Sequence, residues 1–266
     1  MVNNNDNDNN FKYALLKYEL ALDKVLNAIK GLKRELELEP GSPQVDRIES
    51  RIKSEESIKG KCAKKGIPCT IEDVEQNIND VAGIRIITIF RHEIYDLADR
   101  LLAIPGINLV KVKDYIESPK PSGYRGYHLI VSVQVYSRGR TSIVPLEIQI
   151  RDVLMDAWSK IEHRKRYKPK TANEPSGSLD ASFTRHADIL NHFDLEVDAS
   201  NRQQLKDYGI PESDNSCVAA FPGMIVVDDA DEEANPSDFE TESGFTDGND
   251  DDSDCESDTY HKPVVM

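Results

Sequence analysis

Apolar residues recur at alternating steps of four and three from Phe11 through Leu15, Tyr18, Leu22, Val25, Ile29, Leu32 and Leu36. That spacing keeps them on one stripe of a long helix, packed on its own domain or, alternatively, in an intermolecular coiled coil. Pro40-Gly41 ends the stripe. Ser42 with Pro43 then reads as a cap and first-turn proline, and Val45, Ile48 and Ile52 predict a second helix. The pattern next predicts a short helix over 71–80, a strand over 84–90 and a helix over 92–104 bearing Ile94, Leu97, Ala98, Leu101 and Leu102 inward. Strands follow over 107–116, 129–136 and 143–150, the last two joined by a basic turn at 137–142. A helix over 152–167 carries Met155, Trp158 and Ile161 inward, and one more helix lies within 179–206. No internal repeat is present.

One strand changes the picture. In Leu146-Glu147-Ile148-Gln149-Ile150-Arg151, period-two alternation puts the three aliphatic residues on one face and Glu147, Gln149 and Arg151 on the other. A carboxylate, an amide and a guanidinium in one line form a surface for a metal, a hydroxyl and phosphates. They equally suit the wet face of an antiparallel sheet.

Other clusters carry chemistry of the same kind. Arg51, Lys53, Lys59, Lys61, Lys64 and Lys65 crowd the segment before the Gly66-Ile67-Pro68 turn, as a triphosphate clamp or as ordinary solvation. Arg85 opens a strand that otherwise reads as buried, and a buried Arg needs a partner. Asp80, at the mouth of that strand, could pair with it or hold a cation. The Pro- and Gly-rich loop 119–128 presents Lys120, Tyr124, Arg125 and His128, a ring beside cations that suits a stacked base and its phosphates. The alternative is a surface turn with Tyr124 packed beneath it. His163 suits a helix end.

Composition refines this. The net charge of −15 is local: residues 228–258 hold 15 of the 48 carboxylates and no Lys or Arg. With Lys262 set aside, residues 1–227 carry 33 acidic against 32 basic side chains. The pI therefore says nothing about the partners of the body. The tail reads as disordered and solvated, or as a polyphosphate mimic for a basic cleft or an outside partner. Cys62, Cys69, Cys217 and Cys255 lack Cys-x-x-Cys spacing and read as reduced thiols. No apolar run has membrane length and the Asn/Asp-rich start is no signal peptide, so a cytoplasmic location without membrane contact is expected. The organisation is a frayed 1–10, one domain over 11–206 with its core at about 42–170, and a low-complexity acidic tail over 207–266.

Four motifs now stand in order. They are Ser50-Arg51-Ile52-Lys53-Ser54 with Ser57-Ile58; Asp80-Val81-Ala82-Gly83-Ile84-Arg85; Lys113-Asp114-Tyr115 with Pro119-Lys120, Gly123-Tyr124-Arg125 and His128; and Glu147-Ile148-Gln149-Ile150-Arg151 with Trp158, Glu162-His163 and Tyr167. Together, over about residues 12–170, they closely resemble the synthetase domain of the RelA/SpoT-homologue family in its single-domain form, the small alarmone synthetases. The resemblance implies an α/β (α+β) fold, a mixed β-sheet flanked by helices and related to nucleotidyltransferases. It implies a magnesium-dependent pyrophosphokinase that moves the β,γ-diphosphate of ATP onto the 3′-hydroxyl of GDP or GTP, giving (p)ppGpp.

The implied roles are as follows. Asp80 and Glu147 hold Mg²⁺, and Glu147 also accepts the hydroxyl proton. Arg51 and Arg85 sandwich the adenine, while Lys53, Lys61 and Lys64 neutralise the triphosphate. Tyr124 stacks on the guanine, and Lys120, Arg125, His128, Gln149 and Arg151 line the acceptor side. A toxic branch that pyrophosphorylates the 3′-CCA end of tRNA stays open as the alternative. Its phosphate track would be Lys30, Lys33, Arg34, Arg164, Lys165, Arg166 and Lys168. A nucleotide- or RNA-sensing module without activity is a third class. An antitoxin partner and a homo-oligomer are left open. Gly126 and Asp152 stand where the family usually has Ser and Thr. No hydrolase His-Asp motif is seen, so synthesis without breakdown is expected.

Overall fold

A computed structural model describes residues 4–166 and 176–210. In chain order the elements are α1 (Asn4–Leu36), β1 (Val45–Ile52), α2 (Glu55–Lys65), α3 (Ile71–Asn77), β2 (Ala82–Thr88), α4 (Glu93–Leu102), β3 (Ile107–Asp114), β4 (Tyr127–Ser137), β5 (Arg140–Asp152), α5 (Val153–Arg166) and α6 (Ser176–Asp207). The five strands form one sheet in the order β1-β2-β5-β4-β3. Only the β2–β5 pair is parallel; β1–β2, β3–β4 and β4–β5 are antiparallel. The sheet is therefore mixed, as expected.

The long apolar stripe is spent on the chain's own sheet. Tyr18, Ala21, Leu22, Val25 and Ile29 are buried, and α1 packs across β1, β2, β4 and β5. With Ile94, Leu97, Ala98 and Leu101 of α4 it covers the face built by Ile84, Ile86, Leu129, Val131, Leu146, Ile148 and Ile150. The helix also starts earlier than the sequence suggested. Residues 4–10, expected to fray, continue α1. A helix propagates easily from a packed stripe.

The second predicted helix is a strand. Arg47, Ile48, Glu49, Ser50, Arg51 and Ile52 pair antiparallel with β2. A bulge leaves one extra residue between Val45 and Arg47, which gives Val45 and Ile48 the three-residue step of a helix. Within the regular part, Ile48 and Ile52 share one face while Arg47, Glu49 and Arg51 share the other. The helix instead begins at Ser54, whose hydroxyl caps α2 by accepting from the Ser57 N–H at 3.3 Å. Gly66 ends it in the left-handed region at φ 64°. Between them Ile58 and Cys62 enter the core.

Elsewhere the patterns hold to within a few residues. The β4–β5 connection is a two-residue turn with positive φ at both Arg138 and Gly139. Ile161, expected inward, is 59 % exposed. The inward positions of α5 are Met155, Asp156, Trp158, Ser159 and Glu162, so the stripe ends on a carboxylate instead of an isoleucine. Cys62 and Cys69 are free thiols; Cys217, Cys255, Tyr167, Lys168 and the acidic tail lie outside the described residues. Among the described residues no helix is long and apolar enough to cross a membrane.

Burial sets a contrast between two isoleucines. Ile148, 0 % exposed on a central strand, should cost about 3–4 kcal/mol on truncation to Ala. Ile161→Ala should stay within about 0.5 kcal/mol. Urea denaturation of the two variants checks both.

Candidate active site

Cross-strand register turns the polar face of the sheet into three rows. Glu49, Arg85, Gln149, His128 and Lys113 lie side by side across all five strands. One step along, Arg51, Gly83, Glu147, Ile130 and Lys111 form the next row; on the other side lie Arg47, Ile87 and Arg151. Directly opposed side chains stand about 5 Å apart at Cβ, so each row is a line of contacts. Gly83 places no side chain beside Glu147. This face is not wet: Arg85, Lys113, His128, Glu147, Gln149 and Arg151 are all buried.

Along β5 the polar groups hydrogen-bond in sequence. Arg151 Nη2 donates to Gln149 Oε1 at 3.3 Å, and Gln149 Nε2 donates to Glu147 Oε2 at 2.8 Å. His128 Nδ1 lies 3.3 Å from Glu147 Oε1, and the Tyr124 hydroxyl 2.8 Å from His128 Nε2. Burial pushes His128 down to about 4, against the pull of Glu147. The ring is therefore neutral, with Nδ1–H donating to the carboxylate and Nε2 accepting from Tyr124. Burial alone would raise the Glu147 carboxyl, but the His128 hydrogen bond, the Lys113 charge and the Gln149 bond hold it well below the usual range. Glu147 is ionised and fixed from two sides.

Asp80, just before β2, lies near enough for the charge of Glu147 to act on it. Lys53 Nζ meets Asp80 Oδ2 at 2.8 Å and Lys61 Nζ meets the same oxygen at 2.9 Å. Burial and the charge of Glu147 raise the Asp80 carboxyl, and the two lysines outweigh them and lower it. Asp80 Oδ1 is buried with no hydrogen-bond partner. Two neighbouring carboxylates, one with an oxygen that has no hydrogen-bond partner, suit a hard divalent cation that completes its shell with water and phosphate oxygens. They do not make a cation cage on their own: among the described residues no group of three or more His, Cys, Asp or Glu could hold a metal.

The other expected residues divide. Arg85 pairs with Glu49, its Nη1 lying 3.1 Å from Glu49 Oε2. Arg51 and Arg85 are diagonal neighbours on one face. Lys64 is exposed on α2. Lys120 Nζ sits 4.4 Å from the Tyr115 ring centre and 5.7 Å from that of Tyr124. Tyr124 takes the packed alternative: it is 5 % exposed and clusters with Met155, Trp158, Phe183 and Ala187. Arg125 turns away from the others, toward the Gly123 carbonyl and Asp188 of α6. Lys30, Lys33 and Arg34 ride on α1, which packs on the apolar face, whereas Arg164 ends α5, which packs on the polar face. The side chains of Lys165 and Arg166 lie outside the described ones.

The two departures from the family pattern have local explanations. A Cβ at Gly126 would stand 2.5 Å from the Tyr124 hydroxyl, so glycine lets that ring reach His128. Asp152 Oδ1 accepts from the Met155 N–H at 2.8 Å and caps α5, a role Thr can also fill.

Several site residues were not foreseen. Arg47, Glu49, Lys113, Asp156 and Lys160 join the charge network. The alternation Arg47-x-Glu49-x-Arg51-x-Lys53 carries the signal for the first two, visible once the segment is read as a strand.

Known proteins give the fold and site a family. Residues 50–172 match the pattern described as "Region found in RelA / SpoT proteins". The GTP pyrophosphokinase YwaC of Bacillus subtilis (strain 168) is 37 % identical over 187 residues, 70 % of this chain and 88 % of that protein. The crystal structure of small alarmone synthetase 2 from Bacillus subtilis matches with a TM-score of 0.64 and 35 % identity, over 73 % of this chain and 98 % of that one. That of small alarmone synthetase 1 from Bacillus subtilis bound to its product pppGpp matches at 0.66 and 28 %, over 74 % and 99 %. The mixed sheet with its buried, charged polar face thus defines a RelA/SpoT-type synthetase domain. The chain belongs to the RelA/SpoT family, and the relatives it matches are small alarmone synthetases.

α6 is tied to the start of α4 through charges. Arg91 Nη1 donates to Asn191 Oδ1 at 2.6 Å and lies 3.9 Å from Asp194 Oδ2; His92 Nδ1 lies 2.6 Å from Asp198 Oδ1. Burial and the nearby Asp152 charge push Asp194 up to about 7. An unfolded Asp titrates near 3.9, so the folded state holds this proton longer. The contribution is full below about pH 4 and is lost as the pH rises to about 7. Asp194→Asn, with no proton to lose, should gain on the parent by about 2–3 kcal/mol between pH 5 and pH 8. Urea midpoints at the two pH values check this; a pH-independent difference contradicts it.

Proposed function

We propose that this protein transfers the β,γ-diphosphate of ATP to the 3′-hydroxyl of GDP or GTP, forming (p)ppGpp. One observation carries the reading: an ionised Glu147, aligned by His128 and Gln149, lies within electrostatic reach of an Asp80 whose Oδ2 is clamped by Lys53 and Lys61. Membership of the family and the pppGpp-bound relative support it.

Diphosphate transfer needs positioning and charge neutralisation more than covalent help. At the donor end, Lys53 and Lys61 stand over Asp80, and Lys64 follows Lys61 by one helical turn on α2. They would take up charge shifting onto the leaving nucleotide. Arg51 and Arg85, diagonal on the sheet, are spaced to hold a flat base between two guanidinium planes. Mg²⁺ would be held by Asp80 and Glu147 and would spread the charge of the transferred diphosphate.

At the acceptor end, Glu147 would receive the hydrogen bond of the 3′-hydroxyl. So firmly ionised a carboxylate is a weak base, so it orients the hydroxyl first and takes its proton as the oxygen bonds to phosphorus. Gln149 and Arg151 continue the wall beside it, and His128, Lys113 and Lys120 supply donors and charge for the acceptor phosphates. A guanine stacks on Tyr124 only once the Phe183–Ala187 turn of α6 gives way, since those residues cover the ring.

The test offers γ-labelled ATP with Mg²⁺ to GDP, GTP and deacylated tRNA together. Label should move to GDP or GTP, and a chelator should stop it. Glu147→Gln should lower the rate by about 10³-fold or more while ATP binding persists. Label on tRNA alone selects the toxic branch; no transfer at all rejects the reading.

A further inference from the structure

Arg151 is a charge that should not rest quietly where it is. It is 2 % exposed, on the polar face of the sheet, and α5 lies above it. The buried Arg85 is close enough that burial and the charge of Arg151 together bring its guanidinium down to about 10. Two like charges in one dry site need acids nearby.

Two carboxylates outside the transfer machinery supply them. Glu49 on β1 meets Arg85 at 3.1 Å, Arg47 at 3.0 Å and Lys160 at 3.4 Å. Asp156, in the first turn of α5 and 1 % exposed, meets Arg47, Lys160 at 3.2 Å and Arg151 at 3.6 Å. The helix N-terminus favours a negative charge at that place.

The contact between Asp156 and Arg151 is unusual in what it leaves undone. At 3.6 Å between Oδ1 and Nη1 it is an ion pair, not a hydrogen bond. Asp156 Oδ1 and Arg151 Nε are both buried without a hydrogen-bond partner. Charge therefore holds the guanidinium in place without consuming its donors. Nη2 anchors it to Gln149, and the planar group lies 5.5 Å from the centre of the Tyr124 ring. A donor held by charge, pinned on one edge and idle on another, is a group kept for an anion that arrives later.

We propose that Asp156 is a positioning residue that presents Arg151 to the phosphates of the acceptor nucleotide. The proposal rests on the diphosphate-transfer reading for the identity of the acceptor. Asp156 touches no substrate; it acts through Arg151.

Coulomb attraction and positioning predict opposite signs. Removing one negative charge from the site should, by charge alone, tighten a polyanion. If Asp156 positions Arg151, Asp156→Asn should instead weaken GDP binding about fivefold by calorimetry and lower kcat about tenfold. ATP affinity should change less than about twofold. In an Arg151→Gln background the same substitution should change neither quantity more than about twofold, since the group it acts through is gone. Tighter GDP binding, or an equal loss in both backgrounds, overturns the proposal. Should Asp156→Asn not fold, Asp156→Glu carries the test. It keeps the charge but moves it by one methylene, so its kcat should fall at an unchanged melting temperature, and full activity counts against positioning. A parent protein that binds GDP but transfers no label rejects the transfer reading and leaves the binding comparison to decide on Asp156.

Discussion

The constraint on which this structure depends is an ionised carboxylate kept inside a sheet. Glu147 lies on a central strand, buried, with the apolar core one residue away on either side. Such a charge survives only if its desolvation is answered by donors already in place. Register provides them: β4 brings His128, β3 brings Lys113 and β5 itself brings Gln149 and Arg151. Antiparallel β4 and parallel β2 must both flank β5 for these rows to form, so the mixed sheet is part of the chemistry. A one-residue slip of β5 would bury Leu146, Ile148 and Ile150 among the charges and turn Glu147 into the core.

The charge network beyond Glu147 follows from the same logic. Once Arg85 and Arg151 lie on that face, Glu49 and Asp156 are needed to let them remain there. Each of these acids is in turn shared with cations nearer the surface, Arg47 and Lys160. Lys53 and Lys61 repeat the arrangement around Asp80. The result is a face in which most charges are held by partners from a different element. A segment that shifts therefore disturbs several pairs at once.

Alternation along β5 named its three polar residues and their face, because period two survives wherever a strand is regular. The same rule was hidden on β1. Its bulge gave Val45 and Ile48 a helical interval, and a Ser-Pro pair before it resembled a helix start. Reading that segment as a helix scattered Arg47, Glu49 and Arg51 around a cylinder and removed Glu49 from view. Asp156 was hidden for another reason: a carboxylate in the first turn of a helix is common, and nothing local says that it points at the buried Arg151. Ile161 and Glu162 show a third limit. Adjacent positions on a helix compete for the inward face, and polarity misleads when the face is itself polar.

Tyr124 joins these strands of argument. Its ring fills a pocket made by Met155 and Trp158 of α5 and by Phe183 and Ala187 of α6, and its hydroxyl completes the His128 bond that fixes Glu147. Gly126 makes room for that hydroxyl, and Gly123, at φ 91°, brings the loop close enough to α6 that a Cβ there would stand 2.6 Å from that of Ala187. The aromatic ring and the carboxylate are thus coupled through one neutral imidazole.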